Sequence, residues 1–178
     1  MWFKEKRKSL RISLLVFFVL FLLMDLFLIY EASNTGEESS GQSTYFGTAV
    51  ADAINSVATS FGEKPIITDL DSFLAFFRKL VGHYGAFLIL ALLATPFFLL
   101  GFDGKRLKWS IPLNFGHGFL MAAATEMIQL FTPGRAGAWG DIGIDFAGYA
   151  TSGVLLTLIL HLVRYLSERK KTVQTKRA

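Results

Sequence analysis

The 178-residue chain contains no cysteine. Neither disulfide bridges nor thiolate chemistry can contribute to it, although that absence alone identifies no compartment. Also missing are a Gly-x-Ser-x-Gly, a His-Glu-x-x-His and a glycine-rich phosphate loop, so the familiar local signatures of hydrolases, zinc proteases and nucleotide enzymes give no lead. No internal repeat is visible, which leaves a channel or transporter little room for a gated path unless the chain oligomerises. Charge is scarce within four long stretches, and basic residues are scarce between some of them.

What is present is apolar: 52% of the residues are hydrophobic and 18 are Phe. A soluble domain of this length is ordinarily less apolar, with its apolar residues interleaved with polar ones. Here they fall in runs. Ile12–Tyr30 carries one charge, Asp25, and is long enough to cross a hydrocarbon core of about 30 Å at ~1.5 Å per residue. Val81–Phe102 is a second run; Ser110–Phe131 and Asp141–Tyr165 are weaker by hydropathy but of spanning length. The expectation is an all-α membrane protein: one domain of four transmembrane helices near residues 12–30, 81–102, 110–131 and 141–163. The first run exceeds the 7–15-residue apolar region of a signal peptide, and "IYEASN" lacks a clean small-x-small cleavage site, so it reads as a retained helix.

The charge pattern orients these helices. Lys4, Lys6, Arg7, Lys8 and Arg11 precede the first run, and Lys105, Arg106 and Lys108 separate the second from the third. Arg164, Arg169, Lys170, Lys171, Lys176 and Arg177 occupy a tail at 164–178. These are 14 of the 18 basic residues; Lys64, Arg78, Lys79 and Arg135 fall elsewhere. The positive-inside rule then places both termini in the cytoplasm, with residues 31–77 and the loop near Arg135 outside. The net charge of +4 is explained by these orientation signals and by contact with anionic lipid, not by nucleic acid.

The first outer segment is acidic. Its start, "EASNTGEESSGQST", has the composition of a flexible loop. Ala49, Val50, Ala53, Ile54, Val57 and Phe61 recur at helical spacing, which predicts an amphipathic helix on the membrane surface or over the bundle, ended by Pro65. Asp71 is placed to cap a further helix, "SFLAFFRKL".

In this topology the polar residues gather at the outer end. His83 opens the second span; Glu126 and Gln129, three apart, share part of one face of the third. Asp141 and Asp145 open the fourth on a stripe continued by Gly148 and Ser152, a small-xxx-small pair that admits a close neighbour. "TPGRAGAWG" between them holds Arg135 in a tight turn, with Trp139 suited to the headgroup zone. Carboxylates at membrane depth are costly unless paired. The Arg135 fork is expected to bridge Glu126 and Asp141 and staple two helices; alternatively, the same residues form a pocket. Asp25 needs an inward partner, Arg135 or a polar group of another helix. His117 and His161, with no evident carboxylate nearby, read as structural.

The pattern of His83, then Glu126-x-x-Gln129, Arg135 in a Pro/Gly loop, Asp141 and Gly148 resembles the VanZ-like family of small bacterial membrane proteins. The resemblance covers about residues 78–160. It departs at Asp145, where the family usually has Asn. The resemblance implies a cell-envelope protein; the family's namesake is associated with resistance to teicoplanin, a glycopeptide that binds cell-wall precursors.

Three functions are open at this level. In the first, the outer pocket binds a lipid or lipid-linked cell-wall precursor, with Arg135 on a phosphate and Gln129, Asp145 and Asp25 among the binding residues. In the second, a membrane-embedded enzyme uses Glu126 or Asp141 as general base and His83 as acid. In the third, the chain is an assembly partner of another membrane protein, or of a second copy. A metal held by His83, Glu126 and Asp141 has no diagnostic spacing, and no metal or other cofactor is expected.

Overall fold

The computed structural model describes residues 2–101 and 107–175, and among these every regular element is helical. Six α-helices run in chain order: α1 (Trp2–Ser33), α2 (Gly36–Ser60), α3 (Leu70–Phe77), α4 (Ala86–Gly101), α5 (Leu107–Phe131) and α6 (Trp139–Thr175). A π-helical segment, Arg78–Gly85, joins α3 to α4 without a break.

Three continuous stretches are long and apolar enough to cross a membrane: Leu10–Ser33, Leu70–Gly101 and Trp139–Ser167. The second is longer than the expected 81–102, because α3 and the π segment continue directly into α4. α5, at 25 residues, has the length but is less apolar. Its polar residues explain this: Ser110, Asn114, Thr125, Glu126 and Gln129 are all buried, so they lower its hydropathy while facing protein.

α4 is the hub, packing on α1, α5 and α6, while α5 also meets α1 and α6. The core joins Phe21 and Leu28 of α1, Phe87, Leu90, Ala91 and Ala94 of α4, Ala122 of α5 and Tyr149 of α6. The alanines let the backbones approach, and helices gain contact through dispersion when their surroundings are themselves apolar. Leu15, Leu23 and Leu26 of α1 and Leu155, Leu158 and Leu162 of α6 point outwards. An exposed apolar belt of that extent marks a surface covered by something other than water.

The segment after α1 is not a flexible loop. α2 begins at Gly36 because Thr35 makes a capping box: its hydroxyl accepts from the Glu38 N–H, and the Glu38 carboxylate accepts from the Thr35 N–H at 2.9 Å. The predicted amphipathic helix is therefore extended back by thirteen residues from Ala49. It ends at Ser60, before Pro65, where Gly62 turns the chain with φ +80°. The Asn55 amide then pairs with both backbone groups of Ile67, tying the connector to α2. α3 is capped by Asp69, not Asp71: Asp69 Oδ1 accepts from the Ser72 N–H, and Asp71 lies in the first turn. α2 packs on α3 and touches the π segment, and a cavity lies against its apolar face.

Candidate functional site

Four of the expected residues converge. The π segment carries His83 to the ends of α5 and α6, where its Nδ1 lies 3.0 Å from Asp145 Oδ1 and 3.8 Å from Glu126 Oε1. This closeness depends on Gly148, one turn beyond Asp145 on the same α6 stripe, since a Cβ there would collide with the Tyr84 backbone carbonyl. The small-residue stripe read from Gly148 and Ser152 thus receives the π segment. Asp141, at the start of α6, completes the group; a donor atom from each of His83, Glu126 and Asp141 lies within 4.8 Å of the others.

Arg135 does not bridge Glu126 and Asp141. Asp141 pairs with Lys79 of the π segment, Nζ to Oδ1 at 3.0 Å. Glu126 Oε2 accepts the Ala138 N–H at 2.9 Å. The carboxylate itself therefore holds the loop, and backbone N–H supplies what the guanidinium was expected to give. Among the described residues no carboxylate is within ion-pairing distance of Arg135. Burial pushes its pKa below the ordinary arginine value, with Glu126 acting against that and Arg78 with it; a guanidinium nevertheless stays charged at neutral pH.

The loop is built to fixed contacts. Arg135 N–H donates to the Thr132 carbonyl, Thr132 Oγ1 to the Ala32 carbonyl of α1, and Gly36 N–H to the Pro133 carbonyl. Gly134 has φ +71°, a left-handed conformation that favours glycine. It also lies so close to Gly36 that a Cβ on Gly36 would strike its carbonyl. The loop thereby joins α1, α2, α5 and α6.

A cavity of about 1750 Å³ opens beside this group, larger than the roughly 300–1,000 Å³ of ordinary small-molecule pockets. Apolar side chains of α1 and α2, such as Phe27, Leu28, Val50 and Ile54, form its walls, and His83, Gln129, Arg135 and Asp145 stand at its polar end. A smaller cavity of about 280 Å³ adjoins it and is lined by Lys79 and Asp141, with His83, Gln129 and Arg135 lining both.

Asp25 lies outside the group, and its partner is not Arg135. Its Oδ2 is 3.0 Å from His117 Nε2, so His117 has the carboxylate that the sequence did not reveal. His117 Nδ1 is 3.3 Å from the Tyr149 hydroxyl, which donates to Asn114 Oδ1 at 2.8 Å. The Asn114 amide in turn donates to Thr95 Oγ1. This chain of polar groups crosses α1, α5, α6 and α4. His161 is exposed on α6 and joins neither group. The residues missed by sequence reasoning are Lys79, His117, Tyr149, Asn114 and Thr95. The available signal was that polar groups inside apolar helices turn inwards and require partners.

Comparison with protein-family models, with curated proteins and with solved structures found no match.

Proposed function

We propose that this is an integral membrane protein of the bacterial cell envelope, related to the VanZ-like proteins, whose outward-facing pocket binds a lipid or lipid-linked headgroup. The four spans of this reading are α1, the continuous α3–α4 unit, α5 and α6. The basic residues at both termini favour their placement in the cytoplasm. The reading is carried by the shape and lining of the 1750 Å³ cavity. Its walls suit an acyl or polyprenyl chain, and its polar end holds Arg135, a cation without a carboxylate partner among the described residues, placed to receive a phosphate.

The test is native mass spectrometry of protein extracted from its own membrane. An anionic lipid that co-purifies with the wild type and is lost from both Arg135→Ala and Arg135→Lys supports the pocket. Equal lipid retention by all three proteins overturns it.

A second reading, an enzyme acting on a lipid-linked substrate, is favoured by the contact of His83 with Asp145 beside the buried Glu126. Here Glu126 or Asp141 is the base and His83 the acid. Unchanged turnover in purified Glu126→Gln would exclude Glu126 as that base.

A further inference from the structure

We infer that His83, Glu126 and Asp141 form a divalent transition-metal site, for which Zn²⁺ is the natural occupant. They come from three elements, the π segment, α5 and α6, so the fold rather than sequence spacing assembles them. Their donor atoms lie within 4.8 Å of one another. Donors on a tetrahedral zinc ion with bonds of about 2.1 Å stand about 3.4 Å apart, so a small inward rotation closes the set.

An independent observation points the same way. Glu126 is only 2% exposed, and its Oε1 is buried with no hydrogen-bond partner, although Oε2 is satisfied by Ala138. An unmet carboxylate oxygen in such a place is costly, and it stands 3.8 Å from His83 Nδ1. Asp141 engages Lys79 through Oδ1, leaving its second oxygen for an ion. Asp145 Oδ1 lies 3.0 Å from the same Nδ1, so an ion on that nitrogen takes the place of the proton shared with Asp145 and leaves this carboxylate beside the shell. One imidazole and two carboxylates suit zinc better than magnesium or calcium, which favour all-oxygen shells. Three protein ligands leave a coordination position open beside Arg135, where water or an anionic oxygen can bind.

This site does not rest on the lipid reading, and its test uses no added lipid. Purified full-length protein in detergent is titrated with Zn²⁺ against a chromophoric chelator. One ion per chain is expected, with affinity lowered at least about tenfold in Glu126→Gln and Asp141→Asn, and unchanged in His161→Gln. Unaltered affinity in the first two variants overturns the site. X-ray absorption on zinc-loaded wild type guards against misfolded variants: a shell of one imidazole with oxygens is expected, and a shell lacking imidazole overturns the proposal.

Discussion

Asp25 of α1 and His117 of α5 meet through Oδ2 and Nε2 at 3.0 Å, joining two helices that pack against each other. The other oxygen, Asp25 Oδ1, is buried without a hydrogen-bond partner, so this imidazole is the main compensation for placing a carboxylate inside α1. His117→Leu is expected to lower stability by about 1–3 kcal/mol, read from thermal unfolding in detergent. A double-mutant cycle with Asp25→Asn should be non-additive; additivity within about 0.3–0.5 kcal/mol would show that the two side chains do not interact.

Gly148→Ala tests what keeps His83 in place. Its methyl group would occupy the position of the Tyr84 carbonyl and push the π segment from α6, at an overpacking cost of about 1–3 kcal/mol. Hydrogen exchange should quicken across 78–85 while that of α1 stays unchanged. Protection of the π segment equal to wild type would mean that α6 can yield instead.

Lys79→Ala should do little. The Lys79 side chain is 57% exposed, and exposed ion pairs contribute at most about 1 kcal/mol. The melting temperature is expected to stay close to that of the wild type. A large drop would reveal that Lys79 is needed to hold Asp141 near the other carboxylates.

Glu38 offers a pH-dependent test. Hydrogen bonds from the Thr35 backbone and side chain hold its pKa below the ordinary 4.5. The box is therefore fully made above that value, and its support for α2 is lost as pH falls through the lowered pKa. Carbon-detected NMR should find the Glu38 midpoint depressed in the wild type and returned towards 4.5 in Thr35→Ala. A Glu38 midpoint at or above the ordinary value in the wild type would mean that the box is not formed in solution.

Much of this arrangement was legible in the sequence. Apolar runs announced helices, and Glu126, Gln129, Asp141 and Asp145 could be assigned to one end because helical spacing fixes which residues share a face. Pairing was less legible. Arg135 is the strongest ion-pair former near Glu126, yet Ala138 supplies the hydrogen bond, since backbone donors leave no mark in a sequence. His117 carries no local sign of its partner, because Asp25 lies 92 positions away and only helix packing brings them together. α2 hid behind its Ser, Thr and Gly content: composition suggested a loop, whereas one capping box and an apolar face secured a 25-residue helix.

The eight residues of the π segment, Arg78–Gly85, wind more loosely than the α-helices on either side, so a periodic diagram drawn through 70–101 loses phase there. Wound instead as ordinary α-helix, at about 100° per residue, the same eight residues would present His83 on another face of the continuous helix. No atom of Glu126 or Asp145 need change, yet the imidazole would face elsewhere. What aligns His83 with its two carboxylates is the pitch of one short segment as much as the chemistry of its side chains.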